Sequence, residues 1–165
     1  MNPTIRSMHP EDWDEVRRIY LEGIATGNAT FQTEAPSWEH WDASHIATCR
    51  FVAEQEGLML GWAVLGAISS RPVYRGVAEV SVYVAEQVRG KGIGRALMGT
   101  LVQEAEREGF WTLQAGIFSE NSSSVALHRS VGFREVGRRE KMGQLAGRWR
   151  DVLLLERRSL VNGQA

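Results

Sequence analysis

The sequence predicts one α/β (α+β) domain, a mixed and mostly antiparallel sheet with helices on both faces. Three observations carry this expectation. At 165 residues the chain suits a single domain with a substantial core. In its first half, residues 51–55, 58–67 and 77–85 have the length and β-branched content of strands, joined by turns at Glu56-Gly57 and around Pro72. That half is therefore antiparallel. In the second half a helical period, a strand and another helix follow in the order of a βαβα unit, which needs a crossover connection.

Along the chain, residues 4–7 read as a short strand. Pro10 with Glu11 and Asp12 then marks a helix start, since proline suits the first helical position and carboxylates suit the positive end of the dipole. Trp13, Val16, Tyr20 and Ile24 fall on one face of that helix. Residues 27–36 form a loop, and Ser37 caps a second helix carrying Trp38, Trp41 and Cys49. From Gly92 to Glu108 the spacing of Ile93, Leu97, Leu101 and Ala105 is helical. Residues 111–118 read as a strand, 122–131 as a helix, and strands near 133–142 and 149–156 complete the sheet. Residues 1–160 are expected to be the domain and 161–165 a disordered tail, with fraying after Arg158.

A formal net charge of −1 argues against nucleic-acid and membrane-surface partners, which require a large basic excess. Cys49 stands alone, and the start Met-Asn-Pro-Thr-Ile-Arg has no basic segment leading into an apolar run, so a reduced cytoplasmic setting is expected. The apolar stretch from Leu58 to Ile68 is too short to cross a bilayer. No metal site is expected, because His9, His40, His45 and His128 lack partners at ligand spacing.

The most informative segment is Glu79-Val-Ser-Val-Tyr-Val84, which leads through Ala85-Glu-Gln-Val88 into Arg89-Gly-Lys-Gly-Ile-Gly94 at the start of a helix. Alternating glycines let successive N–H groups converge on a phosphate at the positive end of the helix dipole, and Arg89, Lys91 and Arg95 add formal charge. Two common phosphate motifs fail here. A dinucleotide fingerprint would need glycine at Arg95 or Leu97, and a P-loop would need Ser or Thr at Gly92. What remains, Arg-x-x-Gly-x-Gly after a strand, resembles the turn by which the GCN5-related N-acetyltransferase (GNAT) superfamily holds the pyrophosphate of acetyl-coenzyme A. Asn121-x-x-Ser-x-x-Leu-His128 followed by Gly132-Phe133 resembles that superfamily's second coenzyme-binding segment.

Acetyl transfer to an amine needs a neutral amine, stabilisation of an oxyanion and a proton for the departing thiolate. Glu79 shares a strand face with Ser81 and Tyr83, a few residues before the phosphate turn, and is the candidate base; the bland alternative is a salt-bridged strand carboxylate. The resemblance implies that the main chain of Val82, Tyr83 and Val84 binds the pantetheine like an added strand. It also implies that Gly90, Gly92, Ile93, Gly94 and the flanking basic residues bind the diphosphate, and that Asn121 and Ser130 contact the coenzyme. Asn121 could equally be a simple helix cap. His128 stands where many members carry tyrosine. Its imidazole could protonate the thiolate, or be structural.

A closer resemblance is to the phosphinothricin and methionine sulfoximine acetyltransferases. It rests on Arg75-Gly76, Glu79 to Val84, Arg89 to Gly92, Asn121 to His128, Gly132-Phe133, Gly147-Arg-Trp-Arg-Asp151 and the loop from Ala29 to Pro36. The segment Gly143-Gln-Leu-Ala-Gly147 departs from that branch. This likeness implies acetylation of the α-amine of a small amino acid or analogue, by direct transfer with no acyl-enzyme, and a homodimer. The substrate-binding candidates are Phe31, Val73, Tyr74, Arg75 and Glu79, with Arg75 gripping a carboxylate bidentately. A peptide N-terminus or protein lysine as acceptor, a non-catalytic coenzyme A sensor, and an interaction module are the competing readings.

Overall fold

A computed structural model describes residues 2–165. Seven strands form one sheet: β1 (Thr4–Ser7), β2 (Phe51–Gln55), β3 (Leu58–Ala67), β4 (Val77–Val84), β5 (Thr112–Phe118), β6 (Arg134–Leu145) and β7 (Arg148–Arg158). Their spatial order is β1-β2-β3-β4-β5-β7-β6. Among the described residues only β4 and β5 pair in parallel, and a helix-containing crossover joins them, as a parallel pair requires.

Helices α1 (Trp13–Ala25) and α2 (Trp38–Ser44) cover one face, and α3 (Ile93–Arg107) and α4 (Ser122–Ser130) the other. Central β3 is buried from Met59 to Leu65 because both layers close over it. Val16, Ile19, Trp41 and Trp62 pack on the α1 side, where the Trp62 indole donates to the Val16 carbonyl at 3.0 Å. Ile93, Leu97, Leu101 and Leu155 fill the α3 side. The α/β fold with helices on both faces is the one the sequence predicts.

Three local expectations are corrected. Cys49 is not on α2: the helix stops at Ser44, where the Ser44 hydroxyl and the His45 ring both engage the Trp41 carbonyl, and Cys49 follows in a connection with φ 57°. The last two strands extend further than expected and meet at a two-residue turn, Ala146-Gly147, with both residues at positive φ. The end of the chain is tied down rather than frayed. Ser159 donates to Glu106 at 2.9 Å, and the Asn162 side chain donates to the carbonyls of Glu106 and Phe110 at 2.6 and 3.0 Å.

Candidate active site

Strands β4 and β5 pair only over Val77–Glu79 with Thr112–Gln114. Beyond Glu79 each follows its other neighbour: β4 stays registered on β3 as far as Val84 with Gly61, and β5 stays on β7 as far as Phe118 with Val152. The two strands therefore splay. The β5-facing edge of Val80–Val84 has no sheet partner, which leaves main-chain donors and acceptors facing a gap.

A cleft of about 580 Å³ runs along the open end of β4, between the end of α1 and α4. Its floor is Val82, Tyr83 and Val84, and one end is the turn from Arg89 to Arg95. Gly90 and Gly92 have φ of 76° and 86°, conformations that L side chains resist, so the turn curls back to start α3. The first intrahelical bond is Ala96 N–H to Gly92 O, which leaves the N–H groups of Ile93, Gly94 and Arg95 without helical partners. Gly94 has a different role from the other two. It is buried in α3, and a Cβ there would stand 3.0 Å from Leu127 Cδ2, so its absence lets α3 and α4 approach.

A second cavity of about 400 Å³ lies in the splay itself, between residues 79–83 of β4 and 114–118 of β5. Glu79, His128, Phe31 and Arg139 line it, and Ala29, Val82, Tyr83, Asn121 and Ser124 line both spaces. The cleft and the cavity thus meet at the point where the strands part. Glu79 is exposed there and forms no ion pair among the described residues; its Oε1 lies 4.0 Å from the Cβ position of Gly116.

His128 is 3% exposed. Its Nδ1 lies 2.7 Å from the Ser124 carbonyl, which can only accept, so the ring proton sits on Nδ1 and neutral His128 offers Nε2 as an acceptor. Burial holds its pKa below the ordinary imidazole value, with the Ser124 bond opposing that shift. Of the two readings of the ring, proton donor or structural group, this geometry favours the structural one. The only proton of the neutral ring is committed, and charging the ring costs desolvation. Burial likewise raises the Tyr83 phenol well above its usual range. That ring stacks on Trp62 at 4.7 Å and presses against Gly23, where a Cβ would come within 2.6 Å of it.

Of the coenzyme candidates, Val82, Tyr83, Val84, Arg89, Gly90, Gly92, Ile93, Gly94, Arg95 and Asn121 line the cleft. Lys91 and Ser130 do not; the Ser130 hydroxyl turns back to the Leu127 carbonyl at 2.6 Å. Of the substrate candidates, Phe31 and Glu79 line the smaller cavity, whereas Val73, Tyr74 and Arg75 lie outside it. They occupy a 3-10 turn before β4, with the Arg75 guanidinium over the Trp111 ring and donating to the Pro72 carbonyl. Sequence reasoning missed Gly23 and Arg139, and quoted Ser124 within a motif without giving it a role. Ser124 was legible, since it lies one helical turn before His128.

Among the described residues no group of three or more His, Cys, Asp or Glu could hold a metal ion, and no helix is long and apolar enough to cross a membrane.

A splayed parallel pair, a glycine turn at a helix start and a carboxylate at the fork lie together, as the resemblance to acetyl-coenzyme A-dependent enzymes implies. Residues 5–154 match the Acetyltransferase (GNAT) domain, and the chain belongs to that family of N-acetyltransferases. It is 32% identical, over 94% of both chains, to the L-methionine sulfoximine/L-methionine sulfone acetyltransferase of Pseudomonas aeruginosa. The GNAT superfamily phosphinothricin acetyltransferase from Sinorhizobium meliloti, solved in complex with AcCoA, superposes with a TM-score of 0.89 at 32% identity, covering 99% of this chain and 91% of that one. The ribosomal-protein-alanine N-acetyltransferase from Brucella melitensis superposes with a TM-score of 0.87 at 34% identity, covering 94% of this chain and 99% of that one.

Proposed function

We propose that this enzyme transfers the acetyl group of acetyl-coenzyme A directly to the α-amine of a small amino acid or analogue, of the phosphinothricin or methionine sulfoximine kind. One observation carries the reading: the long cleft and the small cavity join at the strand fork, with Glu79 on the cavity side. The cleft suits the coenzyme, because free N–H groups of Ile93, Gly94 and Arg95 suit a diphosphate and the open edge of Val82–Val84 suits the amides of pantetheine. When bound, the coenzyme supplies an acetyl thioester.

Glu79 accepts the proton that the substrate ammonium must lose, directly or through water, and its charge attracts that ammonium beforehand. An unpaired main-chain N–H of the Val82–Val84 edge meets the oxygen on which charge develops. His128 holds the wall through Ser124 and presents Nε2 as an acceptor. Arg89 and Arg95, free of carboxylate partners among the described residues, add charge at the diphosphate end.

The Brucella relative favours a second reading, a peptide N-terminus as acceptor. Against it, Phe31 packs edge-to-face on Phe118 at 4.7 Å and lies 3.1 Å from the Cβ position of Gly143, so loop and hairpin meet beside the cavity and narrow the room for a peptide. We also infer a homodimer, on the exposed Val136, Met142 and Trp149 of the edge hairpin, and a cytoplasmic setting, on the lone buried Cys49.

The test is free-thiol release with methionine sulfoximine, phosphinothricin, methionine, an N-terminal peptide and a polyamine. The small amino-acid analogues should be preferred, and Glu79→Gln should lower kcat about 10²- to 10⁴-fold. Preference for the peptide or the polyamine would overturn the reading.

A further inference from the structure

The acceptor cavity holds one unpaired carboxylate, Glu79, and one unpaired guanidinium, Arg139. The arginines around Arg139 are engaged: Arg138 with Asp151 at 2.8 Å, Arg134 with Glu156, Arg129 with Glu135 and Arg150 with Glu120. Among the described residues Arg139 has no carboxylate within ion-pairing distance, and Glu79 and Arg139 do not pair with each other. Both remain available to a ligand.

The placement of Arg139 is built into the hairpin. Arg139 is registered opposite Val152 and Gly143 opposite Arg150, so residues 140–142 face Asp151 alone. This bulge is pinned by Asp151, which accepts from the Lys141 N–H at 2.9 Å and from Arg138 Nε at 2.8 Å. Neighbouring strand residues point to opposite faces. With Arg138 held by Asp151, Arg139 falls on the face of Val152 and Phe118, its partners across the sheet, which is the cavity face.

We propose that Arg139 binds the α-carboxylate of the acceptor, and thereby makes the enzyme select free amino acids over their amides and over peptides. This rests on the acetyl-transfer reading above and adds the group that chooses the substrate class. A zwitterion carries a cation and an anion, and the cavity answers with Glu79 and Arg139. A guanidinium holds a carboxylate through two parallel hydrogen bonds, a geometry that an amide cannot satisfy. The role that the sequence suggested for Arg75 falls instead to a residue some sixty positions later, on β6.

The acceptor pair that isolates the carboxylate is methionine sulfone and methionine sulfone amide, whose side chains are identical and uncharged. Wild type should favour the acid in kcat/KM. In Arg139→Gln that preference should fall about 10- to 100-fold, mainly through KM, with Arg139→Lys intermediate. Arg75→Gln should keep the preference. Calorimetric binding of the two acceptors in the presence of coenzyme A is read alongside, so the carboxylate contact is judged even where transfer itself fails. An unchanged preference in Arg139→Gln, equal loss on both acceptors, or a collapse in Arg75→Gln instead would overturn the proposal.

Discussion

The Asn121 side chain donates through Nδ2 to the Asn28 carbonyl at 3.0 Å while its Oδ1 accepts the Ser124 N–H at 3.3 Å. One amide therefore caps α4 and holds the loop after α1, which walls both the cleft and the cavity. Arg150 reinforces the same loop by donating to the Gly27 carbonyl at 2.8 Å and to the Asn28 side chain.

The two functions of Asn121 separate by mutation. Asn121→Ala removes the cap and should lower unfolding free energy by about 1 kcal/mol. Asn121→Asp keeps an oxygen for the Ser124 N–H but loses the donor to Asn28. It should retain stability yet raise KM several-fold for both substrates, because the loop they share is released. Chemical denaturation and steady-state kinetics on the two variants check this. Equal kinetic defects with equal loss of stability would assign Asn121 to the cap alone.

Gly92 and Gly94 should differ although they stand two residues apart. A Cβ on Gly92 would meet nothing within 4 Å, so its cost is the φ of 86°, about 1–2 kcal/mol for alanine. If the turn relaxes to relieve that strain, coenzyme A affinity falls roughly 5- to 30-fold. At Gly94 the Cβ meets the mobile end of Leu127, while alanine gains about 1 kcal/mol of helix propensity. Gly94→Ala should bind coenzyme A nearly as well as wild type. Calorimetric titration of both variants decides it, and a larger defect in Gly94→Ala would refute the division of roles.

Local chemistry explains which parts of the site could be read in advance. The glycine turn, the cap at Asn121 and the facing of Glu79 depend on residues within a few positions of each other, and sequence spacing reports them directly. Arg139 depends on a bulge of residues 140–142 against Asp151, a matter of register between strands, and Arg75, though near Glu79 in sequence, lies outside the cavity that Glu79 lines. Cys49 was misplaced for a related reason. The ring of His45 ends α2 by engaging the Trp41 carbonyl, and helical spacing of apolar residues carries no signal of that.

Gly23 sets how closely α1 lies on β4. A Cβ there would fall 2.6 Å from Tyr83 Cε1, and the ring cannot retreat because Trp62 lies behind it at 4.7 Å and 21°. Gly23→Ala should therefore cost about 1–3 kcal/mol by overpacking. Because Tyr83 lies at the strand fork, coenzyme affinity should fall with stability, and the Tyr83→Leu background should relieve part of both losses. Double-mutant thermal melts measure the coupling; strict additivity would remove the contact as the cause.

Acid should destabilise the fold through two histidines. His128 and His45 each engage a carbonyl at 2.7 Å, those of Ser124 and Trp41, and burial lowers both pKa values below the ordinary 6.5. Between the lowered values and 6.5 the unfolded chain binds more protons than the folded one, so unfolding free energy rises with pH across that interval. The contribution is complete above pH 6.5 and is lost as pH falls through the folded values. Asp12, lowered chiefly by its hydrogen bonds from Arg6, acts in the same direction, but only below its ordinary 3.8. Thermal melts from pH 8 to pH 5 should show Tm falling on the acid side of 6.5. The His45→Asn, His128→Asn double variant should show a flatter profile. A Tm that rises on acidification from pH 7 would mean that these rings are charged in the folded state, and would return His128 to the role of a proton donor.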